Sequence, residues 1–140
     1  MIEFNVVAAL ALGTALSWGL SVSAQPAVSP EVALAYLDAD RDGKVVLNDY
    51  LNFQLPKMTA ADADQNGELT YKEFKGSLEE RAKENAQTSF TAFNTQGRSR
   101  TMNQREFLGY HAYVFNNVLD LNKDGVLSVA ELGKMMARGR

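Results

Sequence analysis

Oxygen-bearing side chains recur at fixed intervals in one twelve-residue stretch, residues 62–73. They occupy positions 1, 3, 5, 9 and 12 of that stretch, with Gly67 at position 6 and an aliphatic residue at position 8. Ca²⁺ is a hard cation that takes about six to eight oxygen ligands, and this spacing wraps a chain around such an ion. A glycine at position 6 permits the positive φ that the tight turn requires. The stretch therefore predicts a calcium-binding loop.

The same spacing occurs at residues 38–49 and 120–131, and a degraded copy occurs at residues 95–106. In chain order we call these stretches loops one to four, so that residues 62–73 form loop two. Position 7 of such a loop supplies a backbone carbonyl, and position 9, Thr70 or Ser128, acts directly or through a water. The predicted ligands are Asp38, Asp40, Asp42, Lys44 and Asp49 in loop one, Asp62, Asp64, Asn66, Glu68 and Glu73 in loop two, and Asp120, Asn122, Asp124, Val126 and Glu131 in loop four.

Loop one departs from the pattern at two positions. Its position 12 is Asp49, which is one methylene shorter than glutamate and reaches an ion less easily with both oxygens. Position 9 is Val46, so that ligand would have to be a water. We expect loop one to bind calcium more weakly than loops two and four, and to be the loop most open to Mg²⁺.

Loop three lacks most of its ligands. Its positions 1, 3 and 5 are Thr95, Gly97 and Ser99, and two cations, Arg98 and Arg100, lie within the turn. Glu106 at position 12 is its single carboxylate, so the sum of charges opposes a divalent ion. We expect loop three to be empty and to act as a scaffold for a neighbouring loop, and we prefer this interpretation to a noncanonical ion site.

These loops resemble the EF-hand superfamily, and their four-loop layout resembles calmodulin-like proteins. The short spacing between successive loops and an apolar N-terminus make the chain most similar to small secreted or periplasmic EF-hand proteins of bacteria. The resemblance implies an all-α fold of two EF-hand pairs, joined by a long central helix. It also implies Ca²⁺ as the bound ion.

The spacing of the loops predicts how they pair. They start at residues 38, 62, 95 and 120, so two short intervals of 24 and 25 residues bracket a long one of 33. We therefore expect loop one to pair with loop two, and loop three with loop four. The apolar residues at position 8 would then form short antiparallel bridges, Val45 with Leu69 and Met102 with Leu127.

Helix signals flank the loops. Ser29 and Pro30 form a helix start, and Val32, Tyr36 and Leu37 are expected to face the core from the helix that follows. Pro56 is expected to end the helix after loop one, leaving a short separate helix near residues 57–61.

The interval between loops two and three predicts the central helix. From residue 71 to residue 93 no proline intervenes, and apolar residues recur at helical spacing. One long helix is therefore expected to join the two pairs.

The N-terminus predicts export. Residues 6–20 are almost wholly apolar, and the small residues Ser21 to Ala24 follow, which is typical of a signal peptide cleaved after Ala24. The alternative is an uncleaved membrane anchor, because 19 apolar residues barely suffice to span a bilayer. We favour cleavage, and hence a periplasmic or secreted protein. The predicted parts are a signal peptide at 1–24, one EF-hand pair at 25–80 and a second at 81–140.

Composition excludes several classes of function. The chain has no cysteine, so thiolate metal sites and cysteine nucleophiles are excluded. A net charge of −3 argues against nucleic acid as a partner. His111 is the single histidine and is expected at a helix surface or core edge, and no catalytic motif is present, so we do not expect an enzyme. The methionines are expected to pack in the core rather than to line a partner groove.

The sequence thus predicts an exported calcium sensor or buffer with about three occupied loops. The alternative is a protein-interaction adaptor in which calcium is a constitutive structural ion. The expected partners are calcium ions and, in either case, a protein target. We do not expect a membrane partner once the signal is cleaved.

Overall fold

A computed structural model describes residues 28–95 and 100–138. The predicted signal peptide lies outside these residues. The helices and strands are α1 (Pro30–Leu37), β1 (Val45–Val46), α2 (Leu47–Ala61), β2 (Glu68–Thr70), α3 (Tyr71–Ser77), α4 (Glu80–Lys83), α5 (Ala86–Phe93), β3 (Thr101–Asn103), α6 (Gln104–Val114), a π-helical turn (Phe115–Leu119), β4 (Val126–Leu127) and α7 (Val129–Arg138). The described part of the chain is thus mostly helical with four short strands.

Helix α2 runs without interruption from the end of loop one to the start of loop two. Pro56 lies inside it and does not end it, so the prediction of two helices here is wrong. A proline removes one backbone hydrogen bond from a helix, and a 15-residue helix that packs against its neighbours tolerates that loss. At 1.5 Å per residue the two loops lie about 22 Å apart along the helix axis.

Helix α6 plays the same role between loops three and four. It begins directly after β3, and the π-helical turn extends it to Leu119, immediately before Asp120. The i→i+5 bonding of that turn is seen where the Asp120 N–H donates to the Phe115 carbonyl at 2.9 Å. Loops three and four therefore also lie at opposite ends of one helical rod.

The two rods α2 and α6 pack against each other, and their packing decides which loops meet. Val45 pairs with Leu127 and Val46 with Val126, so loop one pairs with loop four. Leu69 pairs with Met102, so loop two pairs with loop three. The predicted pairing of loop one with two and of three with four is wrong, because each predicted pair is held apart by its rod. The predicted division into residues 25–80 and 81–140 assumed that pairing and loses this support.

The segment after loop two is not one long helix. It forms α3, α4 and α5, with extended backbone at Leu78 and Glu79 between the first two. The chain turns back there because Leu78 and Ala82 are buried, and the turn packs α5 against α3. The rings of Phe74 and Phe90 lie 5.7 Å apart across that contact. The predicted central helix is wrong, since burial of these apolar residues overrides helix propensity.

The first and last helices of the described chain, α1 and α7, pack together beside loops one and four. Helix α1 begins as predicted, since the Val32 N–H donates to the Ser29 hydroxyl at 3.3 Å. It buries Ala33 and Leu37, whereas Val32 and Tyr36 are 60% and 49% exposed. The prediction that Val32 and Tyr36 face the core is therefore wrong.

One core runs through the described residues. Its largest fully buried side chains include the position-8 residues of all four loops and aromatic residues of α3 and α6; they are Tyr110, Phe74, Phe107, Phe115, Leu37, Leu69, Met102, Leu119, Leu127, Leu132, Val45 and Val114. Met58, Met102 and Met135 are buried in the same core, as predicted. Within residues 28–95 and 100–138, no helix combines the length and apolarity needed to cross a bilayer.

Candidate metal centres

Loops one, two and four share one turn conformation. The glycine at position 6 has a φ of +83° at Gly43, +82° at Gly67 and +81° at Gly125. Its backbone N–H donates to the position-1 aspartate, at 2.8 Å from each of Asp38, Asp62 and Asp120; these three bonds form one matched set. The residue at position 4 also has positive φ, which is rare outside glycine. The turn places the first three ligand side chains around one point.

Acidic side chains converge in loops one and two. Carboxylate oxygens of Asp38, Asp40 and Asp42 lie within 4.8 Å of one another. The same holds in loop two for Asp62, Asp64 and Glu73. Three negative groups this close repel one another unless a cation lies between them. In the described part of loop four the acids Asp120, Asp124 and Glu131 do not meet this criterion, because position 3 is the amide Asn122.

Glu73 connects the beginning of loop two to its end. Oε1 accepts a hydrogen bond from the Ala63 N–H at 3.0 Å, and Oε2 accepts one from the Thr70 N–H at 2.8 Å. The Glu73 N–H donates in turn to the Thr70 hydroxyl at 3.3 Å, so positions 9 and 12 form the capping box of α3. The carboxylate that would close the ion site is thus held in place by the start of the exiting helix.

Loop four repeats this arrangement. Glu131 Oε1 accepts from the Leu121 N–H at 2.8 Å and Oε2 accepts from the Ser128 N–H at 2.9 Å. The Ser128 hydroxyl also donates to Oε2, at 2.8 Å. Loops two and four therefore hold their position-12 glutamate by equivalent contacts.

Loop one differs at the same place. Asp49 Oδ2 accepts from the Val46 N–H at 3.0 Å, which matches half of the glutamate arrangement. The second contact, from the start of the loop, has no counterpart for Asp49 within residues 28–95. The shorter side chain accounts for this difference. Asp49 is buried and stands apart from the converging Asp38, Asp40 and Asp42.

Loop three keeps the closing carboxylate without the other acids. Glu106 Oε1 accepts from the Thr95 N–H at 2.8 Å, and Oε2 accepts from the Asn103 N–H at 3.0 Å. Asn103 and Glu106 form the capping box of α6. Gly97, Arg98 and Ser99 lie outside the described residues, so the predicted emptiness of this loop stays a prediction.

The protonation of the closing glutamates follows from these contacts. Hydrogen bonds from the Thr70 hydroxyl and N–H, and then from the Ala63 N–H, lower the pKa of Glu73. Burial would raise the pKa of Glu131, but hydrogen bonds from Ser128 and from the backbone of Asn122 outweigh it and lower that pKa. Both groups are therefore poised as carboxylates, which is the form that binds a cation.

Asp40 in loop one behaves in the opposite way. The Asp42 N–H lowers its pKa, but desolvation and the charges of Asp42 and Asp49 outweigh this bond and raise the pKa overall. The acids of loop one thus repel one another, and a bound cation would relieve that repulsion.

The predicted backbone ligands lie where the strands begin. Glu68 and Val126 are the first residues of β2 and β4, and Lys44 immediately precedes β1. Each predicted carbonyl is therefore next to a residue that pairs with another loop. The Glu68 side chain also accepts a hydrogen bond from the Thr101 hydroxyl of loop three.

His111 lies in the core and not at its edge, so that prediction is wrong. It is 7% exposed, and its ring centroid lies 4.5 Å from that of Phe107 and 4.9 Å from that of Tyr110. Burial, and then the charge of Lys57, lowers the pKa of His111 to about 3. Nδ1 lies 3.4 Å from the Tyr50 hydroxyl. No local pattern could have placed His111 here, because the contact joins two different rods.

One family model matches part of the chain. Residues 117–136 match an EF-hand model. The match spans loop four with the residues on either side of it, and it supports membership of the EF-hand superfamily. Together with the converging acids of loops one and two, it indicates calcium binding. A comparison with curated proteins finds no significant match to the chain.

Proposed function

We propose that the protein is an exported calcium sensor or buffer that binds three Ca²⁺ ions, one each in loops one, two and four. The observation that carries the proposal is the matched set of three loop turns. In each, the glycine N–H of position 6 donates to the position-1 aspartate at 2.8 Å. The EF-hand match over loop four and the converging carboxylates of loops one and two support it.

The site residues of the proposal are those that the spacing predicts. Two or three side-chain oxygens, one backbone carbonyl and the position-12 carboxylate would surround each ion, which is the oxygen-rich shell that Ca²⁺ takes. The proposal is for a binding protein and not for an enzyme. The ligand carboxylates would be committed to ions, and the single histidine is buried.

A calorimetric titration tests the number of ions. The exported protein, stripped with chelator, should bind three Ca²⁺ per chain, and Glu73→Gln should remove one of them. The melting temperature should rise when calcium replaces chelator, because the ions bind the folded state in preference to the unfolded one. An identical melting temperature in calcium and in chelator would contradict the proposal.

Export is a separate part of the proposal. Its support is the apolar N-terminal sequence alone. The mass of the protein recovered from an exporting host tests it, since cleavage should leave Gln25 as the first residue. A retained N-terminus in the membrane fraction would favour the anchor instead.

The second candidate function is an adaptor in which calcium is a constitutive structural ion. A groove of about 400 Å³ between α1 and α2 favours it, because Tyr36, Phe53 and Pro56 line it and present apolar surface for a protein target. Asp49 of loop one also lines this groove.

A hydrophobic dye distinguishes the two functions. For a sensor, dye fluorescence should rise steeply at micromolar calcium. For a constitutive ion, we expect binding that saturates near millimolar calcium, with no change in dye signal.

A further inference from the structure

The pairing of loop one with loop four brings together two predicted ion sites from opposite ends of the described chain. Val45 and Leu127 are register partners in β1 and β4 and are 0% and 1% exposed. The second register pair, Val46 and Val126, joins position 9 of loop one to position 7 of loop four. Loop two differs, because its partner is the degraded loop three.

The path between the two sites is short and stiff. The predicted carbonyl ligand of loop one, Lys44, immediately precedes Val45, and Val126 both supplies the predicted carbonyl of loop four and pairs with Val46. An ion that draws in one carbonyl must therefore order the strand that its neighbour pairs with. Buried partners such as Val45 and Leu127 transmit this order because a packed core does not deform locally. Ordering that is completed by the first ion need not be repeated for the second, which favours positive cooperativity.

Loop two is separated from loop one by α2. The helix spans about 22 Å, which exceeds the Debye length of about 8 Å at physiological ionic strength, so direct repulsion between ions in these loops is screened. Loop four is likewise separated from loop three, the partner of loop two, by α6 and the π-helical turn. With loop three empty, as its sequence predicts, loop two has no occupied partner through which to sense the other ions.

We propose that loops one and four bind calcium cooperatively as one unit, and that loop two fills independently of both. The proposal rests on calcium binding by these loops. It explains how loop one, with its short Asp49, would become occupied, since an ion in loop four would order its strand. A coupling of this kind typically changes affinity by about five- to 150-fold.

A cross-linking pair tests the geometry without any ion. The chain has no cysteine, so the doubly substituted Val46→Cys, Val126→Cys protein contains one candidate disulfide. Register partners of an antiparallel pair have Cα atoms about 4.5–5.5 Å apart, within the range that a disulfide needs. The control is Val46→Cys with Glu68→Cys, which would be partners if loop one paired with loop two. We expect an intramolecular disulfide in the first protein and none in the second.

Glycine amide resonances report each site separately. The N–H groups of Gly43, Gly67 and Gly125 donate to the position-1 aspartates of loops one, two and four, so each shifts when its own loop binds an ion. Glu131→Gln should raise the calcium concentration that half-fills loop one by about tenfold and leave loop two within about twofold. Glu73→Gln is the matched control, because Glu73 and Glu131 have equivalent contacts. It should leave loops one and four within about twofold.

The outcomes separate this proposal from the proposed function. If no glycine amide of the unaltered protein responds to calcium, then calcium binding and the coupling both fail. If all three respond and the two glutamine variants affect loop one equally, calcium binding stands and the coupling is overturned. The Val46–Val126 cross-link gives a second measurement that needs no ligand substitution. It should tighten calcium binding in loops one and four several-fold and leave loop two unchanged, and equal effects on all three loops would overturn the proposal.

Discussion

The Tyr50 hydroxyl lies 3.4 Å from Nδ1 of His111, and this contact joins α2 to α6 inside the core. The ring of Tyr50 also lies 5.7 Å from that of Phe115 in the π-helical turn. Burial strongly raises the pKa of Tyr50, so its hydroxyl stays protonated. The two rods that set the loop pairing therefore meet at a buried pair of titratable groups.

His111 should make the stability of the protein depend on pH. Burial, and then Lys57, holds its pKa near 3 in the folded protein, whereas an unfolded histidine has a pKa of about 6.5. Between these values the unfolded state binds one more proton, so the free energy of unfolding falls as the pH falls. The slope from this group is about 1.4 kcal/mol per pH unit.

Urea unfolding at pH 7, 6 and 5, in excess calcium, checks this prediction. His111→Gln removes the titrating group, so the difference between the two proteins should shrink or change sign toward pH 5. Parallel pH profiles would show that His111 does not titrate in this range.

Asp49→Glu should strengthen calcium binding by loop one. The added methylene lets the carboxylate reach the acids at positions 1, 3 and 5, as Glu73 does in loop two. The neighbouring groove has room for the longer side chain. We expect about a tenfold gain in affinity, of the order that ligand charge and geometry produce in such loops. The Gly43 amide titration measures it, and Asp49→Asn should weaken the same site.

Met102→Ala tests whether loop three supports loop two. Met102 is fully buried and is the register partner of Leu69. Truncating a buried methionine costs about 2–5 kcal/mol, and we expect weaker calcium binding at Gly67 in addition. Met136→Ala, at a half-buried position of α7, serves as the control. Equal losses in the two variants would remove the special role of loop three.

Two glycine substitutions should have opposite signs. Gly76 lies in α3, and the space that an added methyl group would fill is open, so Gly76→Ala should stabilise the protein by about 0.5–1 kcal/mol. Gly67 has a φ of +82°, where an added Cβ costs about 1–2 kcal/mol although no atom obstructs it. Gly67→Ala should therefore destabilise the protein. Thermal unfolding in calcium measures both, and effects of one sign would contradict the backbone argument.

The loop turns could be predicted from sequence because their determinants are local. Asp62, Asn66 and Gly67 lie within six consecutive residues, and the turn that joins them depends on their own hydrogen bonds and φ angles. The capping box of Thr70 and Glu73 is equally local. The helix start at Ser29 and Pro30 is confirmed for the same reason.

The loop pairing could not be predicted in the same way. The short interval of 12 residues between Asp49 and Asp62, with Pro56 inside it, suggests a link that lets two loops meet. These residues instead form most of one helix, which holds the two loops apart. A segment this short cannot supply two helices and a turn, and that length was the one available signal.

The loops, their ligand sets and the defects of loops one and three follow from the sequence alone, because each depends on residues within a single twelve-residue stretch. The choice of loop partners, the position of His111 and the turn of the chain after loop two are set by tertiary contacts. Each of these depends on α2 packing against α6 or on burial of Leu78 and Ala82. Such contacts join residues far apart in the chain, and a local pattern does not contain them.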